Sequence, residues 1–257
     1  MAKHIGHAVS LSLGRRIMGD LLHAGMQIPL VTIQKDMDLS DVVAARRVSQ
    51  PRPSWCSIFT KAYGKVVASR PDLRRAYLTF PWPRMFEYRM AAADVAVEAR
   101  VNDEDVLVFV PVRQPECWRL HEMDEFLAAC KEKPIERVTI FRRGLRLARW
   151  PQFVRRWALW FLLNASARAR YYYFGTFGVT SVGNWGVDSV RPIAPAISVL
   201  HYGSINAAGQ VTVRLTYDHR VLDGTGPSTA LLELEQFLKT DIIAELKTLQ
   251  PLGVHAG

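Results

Sequence analysis

His219 stands in the stretch Leu215-Thr-Tyr-Asp-His-Arg-Val-Leu-Asp-Gly224. A run that alternates like a strand (Val211, Val213, Leu215, Tyr217) ends there, and a helical pattern begins beyond Gly224 (Leu231, Leu232, Leu234, Phe237, Leu238). A side chain at such a junction is held by rigid structure on one side and open to a channel on the other, a setting suited to a general base. In the His-x-x-x-Asp-Gly spacing, Asp223 can turn back to fix the turn, through its own backbone or through a basic partner. Gly224 can adopt backbone conformations closed to other residues. A three-residue pattern of this kind arises by chance in roughly one chain of this length in fifty, so alone it also fits a satisfied turn histidine.

Two further stretches accompany it. LTYDHRVLDG with its amphipathic helix resembles the C-terminal signature of the dihydrolipoamide acyltransferase (E2) catalytic domains of 2-oxoacid dehydrogenase complexes, a family that shares its fold with chloramphenicol acetyltransferase. Gly175 to Ile205 (GTFGVTSVGNWGVDSVRPIAPAISVLHYGSI) is similar to that family's strand-turn-strand block, GTFTIS/TN-G-xxG…PIIxPPxxAILGxGxI. Gln27 to Arg46 (QIPLVTIQKDMDLSDVVAAR) resembles its early strand and helix, TIPHVT…DVTxLVxLR. Three blocks in the same order imply an α+β fold: a two-layer α/β sandwich, chloramphenicol acetyltransferase-like, with a mixed β-sheet flanked by helices.

The resemblance also assigns roles. It places on Thr180 the hydroxyl that hydrogen-bonds the tetrahedral oxyanion, with Ser181 as the neighbour that substitutes if the alignment slips by one; without the resemblance, Thr180 is an ordinary strand threonine. Asn184, with Gly186 and Pro192, reads as a turn residue of the substrate-binding block. His219 becomes the base that takes a thiol's proton during attack on a thioester; full proton transfer from thiol to imidazole runs uphill by roughly 2.7 kcal/mol, and concerted removal avoids a free thiolate. Asp223 is structural support, paired with Arg15 or Arg16. In the family, the base and the hydroxyl come from adjacent subunits of a trimer. The acyl group moves between coenzyme A, a lipoyl group or a carrier-protein thiol and an acceptor. A catalytically idle scaffold, forming trimers or a larger cage, is the rival reading, and retention of both His219 and a hydroxyl at Thr180 argues against it.

The chain has 257 residues and 49% hydrophobic content, enough to bury a sizeable core. No linker-like run divides it, so one acyltransferase domain is expected over 1–257, with no lipoyl or subunit-binding domain; a lipoyl group would then arrive in trans. Cys56, Cys117 and Cys130 lack Cys-x-x-Cys spacing and leave one unpaired under any disulfide scheme, which favours a reducing compartment. The N-terminal stretch MAKHIGHAVS lacks the apolar core of a signal peptide. A cytoplasmic protein is expected, and no metal.

Patterning predicts a helix over about 12–26, a strand from Ile28 to Leu39, and a helix capped by Ser40. A third helix follows from Trp55 to Ser69. Two strands, DVAVEARV and DVLVFVPV, flank a turn at Asn102-Asp103-Glu104, and a helix spans about 120–131. Arg74 stands where the family carries a small polar residue, and Tyr77 to Phe86 is unlike it.

The segment from Arg137 to Arg170 holds nine arginines, no lysine and no acidic residue, interleaved with Trp150, Phe153, Trp157, Trp160 and Phe161. Without these nine, the remaining 24 basic residues match the 24 acidic ones, so the formal net charge of +9 resides here. The family has a shorter polar helix and loop at this place, which makes 137–170 a basic, aromatic insertion. Its apolar run is too short to span a bilayer. Three readings remain: a membrane-surface helix, a groove for an acidic carrier or for coenzyme A phosphates, and an oligomer contact with a solvated basic face. Nucleic acid is not expected, because no recognition motif accompanies the charge.

Overall fold

The structure, a computed structural model, describes residues 6–101, 104–132, 139–181, 190 and 192–249. Its frame is a six-stranded sheet in the order β1-β8-β7-β6-β4-β5. These strands are β1 (Leu30–Asp38), β4 (Ala92–Val101), β5 (Glu104–Arg113), β6 (Phe177–Thr180), β7 (Ser198–Tyr202) and β8 (Gln210–Asp218). β4, β6 and β7 run parallel, while β1, β8 and β5 join antiparallel. The sheet is thus mixed, and with its helices the chain is α+β. β2 (Arg75–Leu78) and β3 (Arg84–Glu87) form a separate hairpin.

Period-two alternation divides the sheet into two faces. One face carries Ala93, Val95, Val97, Phe177, Val179, Leu200, Val213 and Leu215 into a single apolar core. There it meets α3 (Trp55–Ser69), α4 (Leu120–Glu132) and α8 (Thr225–Phe237). α3 starts where Ser54 accepts a hydrogen bond from the Ser57 N–H at 3.2 Å. Its buried positions run almost all round the helix and include Ser57, Thr60 and Lys61 beside the apolar residues. Its Phe59 ring stacks on Tyr202 at 4.2 Å, and its Tyr63 meets Phe177 edge-on at 5.0 Å. The Tyr63 hydroxyl shares a hydrogen bond of 3.0 Å with Ser198 Oγ, so its burial leaves no orphaned polar atom. α8 continues through a π-helical turn, Leu238–Ile242, into α9 (Ile243–Thr248).

The other face is roofed by α1 (Leu13–Gly25), α5 (Thr139–Ala148) and α6 (Gln152–Asn164), with α7 (Ala167–Phe174) leading back into β6. The basic segment therefore folds as three consecutive helices. Two of its arginines are not surface charge at all. Arg155 is buried, with Nε donating to Asp20 Oδ2 at 2.6 Å and Nη1 to the Trp150 carbonyl at 2.8 Å. Arg170 is buried and donates to the carbonyls of Tyr77 and Leu163. α6 is accordingly turned inside out relative to its charge pattern: Arg155, Leu159 and Leu163 face inward, while Phe153 and Trp157 are 74% and 67% exposed.

Two smaller expectations are corrected. Ser40 is the first residue of α2 (Ser40–Val48) and does not cap it; the Asp38 carboxylate accepts the Ser40 N–H at 3.0 Å. A carboxylate satisfies an orphan donor at a positive helix start better than a hydroxyl. Arg74 is structural: its guanidinium donates to the Val67 and Ala68 carbonyls at the end of α3 and to Tyr88 O. The three cysteines form no disulfide. Among the described residues no helix is long and apolar enough to cross a membrane, and no group of three or more His, Cys, Asp or Glu is placed to hold a metal ion.

Asp20 is buried under α6 and also receives Arg156 Nε at 3.4 Å. Removing it strands a buried guanidinium, so Asp20→Asn is expected to lower stability by about 3–5 kcal/mol in urea unfolding. Replacing both partners, Asp20→Leu with Arg155→Met, is expected to recover most of that loss; an unchanged midpoint in the single variant would refute the role.

Candidate active site

β8 delivers His219 to the end of the sheet. The turn closes through the Val221 and Leu222 N–H groups onto the Asp218 carbonyl, and the His219 N–H donates to Pro29 O at 2.9 Å. The fully buried Asp218 carboxylate fixes this corner, accepting from the Arg220 N–H at 3.0 Å, Nε at 2.9 Å and Nη2 at 2.7 Å. Arg220 in turn lies 4.8 Å over the Tyr77 ring. The His219 ring sits edge-on to Tyr217, and its Nδ1 lies 2.9 Å from Leu222 O. A carbonyl oxygen only accepts, so Nδ1 carries the hydrogen. The lone pair of the neutral ring is then on Nε2. The side chain is 48% exposed, which leaves Nε2 able to meet a substrate proton.

Asp223 does not hold this turn. Its side chain is 99% exposed and reaches only to 4.0 Å from His219 Nδ1, beyond hydrogen-bonding distance. The support expected of it, together with Arg15 or Arg16, is supplied by Asp218 and Arg220. A signal for that pair was present in the sequence: an acid at the strand end and an arginine two residues on.

Thr180 closes β6 on the face away from the apolar core. It lines a cavity of about 480 Å³ between the sheet and α1, α5 and α6. Gly178, on the same face, leaves room there, since a Cβ would come within 3.3 Å of Val199 Cγ2. Ser181 Oγ donates to the Tyr202 carbonyl at 2.9 Å, so its proton is committed to the backbone. Asn184 lies outside the described residues. Pro192 lines the cavity mouth with Ile193.

Sequence reasoning passed over Asp94. It pairs in register with Gly178, is buried, and lines the same cavity. Desolvation pushes its carboxyl up to about 7, opposed by the charge of Arg113. An aspartate at the head of an alternating apolar strand was the available signal, but it reads equally as a strand end.

His219 and Thr180 do not meet within one chain. Thr180 pairs with His201 and His201 with Arg214, five residues before His219. At strand spacings this separates them by about 17 Å along the sheet and about 10 Å across it. A reacting carbonyl in contact with both needs a second copy of the chain.

No protein-family model matches the chain, and no curated protein matches it. Solved structures do. The dihydrolipoamide acetyltransferase (E2p) of Azotobacter vinelandii superposes with a TM-score of 0.66 at 19% identity, over 95% of this chain and 96% of that one. In that enzyme a serine, a histidine and an asparagine four positions beyond the histidine have been studied for their role in the catalytic mechanism. The cubic core of a pyruvate dehydrogenase multienzyme complex matches with a TM-score of 0.64 at 18% identity, over 95% and 96% of the two chains. Chloramphenicol acetyltransferase matches with a TM-score of 0.51 at 13% identity, over 89% and 98%. The chain has the fold of dihydrolipoamide acetyltransferase catalytic cores, which is chloramphenicol acetyltransferase-like.

The buried carboxyl at Asp94 ties stability to pH. Its folded-state value lies above the ordinary 3.8, so its contribution is fully present below about pH 4 and is lost as pH rises through about 7. Asp94→Asn is expected to flatten this decline in thermal unfolding between pH 4 and 8, an effect of at most roughly 4 kcal/mol. Parallel stability curves for variant and parent would contradict it.

Proposed function

We propose that this chain, which folds like dihydrolipoamide acetyltransferase cores, is itself an acyltransferase that moves an acyl group from a thioester to an acceptor, working as an oligomer. The observation that carries this reading is His219 at a strand end, with Nδ1 tied to Leu222 O and the side chain 48% exposed. Nε2 takes the proton of the attacking thiol or hydroxyl as the new bond to the carbonyl carbon forms. Negative charge then develops on the acyl oxygen, where the Thr180 hydroxyl of an adjacent chain donates to it. When the tetrahedral adduct collapses, the carbon–sulfur bond breaks and the imidazolium returns its proton to the departing thiolate. Nδ1–H stays on Leu222 O throughout and holds the ring's orientation. Such a hydroxyl is typically worth about a hundred- to a thousandfold in rate.

Coenzyme A, a lipoyl group or a carrier-protein thiol can serve as the thiol; a stand-alone enzyme using a coenzyme A or carrier thioester is the preferred form. The separation of His219 from Thr180 within one chain supports assembly as a homotrimer with the site between subunits, and a larger cage can build from such trimers. A purely structural scaffold would need neither the fixed imidazole nor Thr180. Free cysteines support a cytoplasmic location as part of this reading.

One observation favours a peripheral membrane position. The outward row Phe153, Trp157, Trp160 and Phe161 continues through the Phe80–Trp160 contact onto the β2–β3 hairpin, where Trp82 and Phe86 are also exposed. Exposed arginines, among them Arg149 and Arg156, border it. Apolar rings ringed by arginine suit an anionic lipid surface. Because Arg155 is an internal strut, the aromatic residues are the ones to change.

His219→Ala is expected to abolish transfer while the oligomer, followed by light scattering, survives; turnover equal to the parent would refute the base. Thr180→Ala is expected to lower kcat about a hundredfold or more with little change in KM, and Thr180→Ser to stay near the parent. For the surface, co-sedimentation with anionic vesicles should weaken but persist in high salt, and Phe153→Ser with Trp157→Ser should abolish it. Vesicles ignored by the parent, with the trimer lost in Trp157→Ala and Trp160→Ala, would make this face a subunit contact.

A further inference from the structure

The cavity beside Thr180 takes part of its roof from the segment that gives the chain its charge. Leu147 of α5 and Leu159 and Leu162 of α6 face Ile17 and Leu21 of α1 across it, over a floor of sheet residues that includes Phe109. At about 480 Å³ it falls in the size range of small-molecule sites, ~300–1,000 Å³. An apolar void weighs against the folded state in proportion to its volume, and walls of this kind give water few partners. The space therefore calls for an apolar occupant.

Its polar groups say which part of a substrate that is. Thr180, assigned above to the acyl oxygen, opens onto the chamber, so whatever is bonded to the reacting carbonyl starts there. Asp94 on the floor is buried and accepts no hydrogen bond from a described residue. Burial favours the neutral form of this carboxyl, and walls so poor in hydrogen-bond donors give a phosphate nothing to replace its water, which disfavours the nucleotide end of coenzyme A in the interior. Arg143, the cation among the described lining residues, lies on an exposed part of α5.

We propose that this chamber holds the hydrocarbon chain of the acyl group being transferred, with its carbonyl at Thr180 and its tail running between α1 and the α5–α6 roof. The substrate class is then a thioester of a medium or long unbranched fatty acid, not an acetyl group. This inference rests on the acyl-transfer reading. It adds what the acyl group is and what the basic, aromatic segment is for: the inner face of α6 shapes the tail pocket.

The test measures binding and transfer separately. Saturated acyl-coenzyme A thioesters from acetyl to dodecanoyl, kept below their micellar concentrations, are titrated calorimetrically into the intact oligomer. The dissociation constant is expected to fall roughly threefold to fourfold per added methylene until the chamber is full, and then to level. Gly144→Phe is expected to move that levelling point to shorter chains. Gly144 lines the chamber, and its added Cβ would meet Ile17 Cδ1 at an ordinary 3.5 Å; a larger residue also favours the helix. Leu147→Trp serves as a second filling variant should the first fold poorly.

A dissociation constant independent of chain length overturns the proposal. So does a chain-length dependence that neither filling variant alters, because the tail would then lie on the exposed aromatic face. A dependence on the chain of alkanethiol acceptors, absent for the donors, also overturns it. Tight, length-dependent binding without transfer to any acceptor would sink the acyltransferase reading and leave the chamber standing. Acetyl transfer with a flat length profile would do the reverse.

Discussion

Pairing of β6 with β7 and of β7 with β8 sets the distance on which the rest of the chemistry depends. β7 runs parallel to β6 and antiparallel to β8. Thr180 therefore leaves the sheet at one end and His219 at the other. Backbone hydrogen bonds hold this offset, and a one-residue slip would turn every side chain of a strand to the wrong face. Side-chain motion cannot close a gap of about 20 Å, the diagonal of the strand spacings. The same pairing gives His219 its rigidity: β8 is tied on both sides, and the Asp218 carboxylate locks the corner through Arg220.

The two faces of the sheet have taken different work. One is filled by α3 and its neighbours, with one aromatic pair stacked and another edge-on. The other is left partly open under α1, α5 and α6. That roof is held by the buried pair of Asp20 with Arg155, whose value depends on every hydrogen bond being made. Arg155 meets this condition through Asp20 and the Trp150 carbonyl. Charge in this segment thus has two distinct uses, some arginines bonding the interior and others facing solvent.

Much of the frame was legible in the sequence because periodicity reports burial. Leu13, Ile17 and Leu21 recur at helical spacing and form α1; the alternation around Val211 to Tyr217 forms β8; α3 runs from Trp55 to Ser69 as expected. His219 was legible through its position between two such patterns. The failures share a physical origin, since each depends on a partner that periodicity does not reveal. Arg155 reads as surface charge until Asp20, 135 residues earlier, is placed against it. Arg74 reads as an oddity until the end of α3 is seen to need donors. Asp94 acquires meaning only from the cavity that desolvates it, and Asp223 was credited with support that the adjacent Asp218 provides. Thr180 was reached through resemblance alone, because a strand threonine carries no local signal of function.

The central claim is that base and hydroxyl come from different chains. It is tested most directly by co-assembling two inactive variants, His219→Ala and Thr180→Ala, and measuring acyl transfer by the mixed oligomer. An interface formed by one intact His219 and one intact Thr180 should restore a substantial fraction of parental turnover, while each variant alone stays near background. Mixed oligomers no more active than the separate variants would place both groups in one chain and contradict the account.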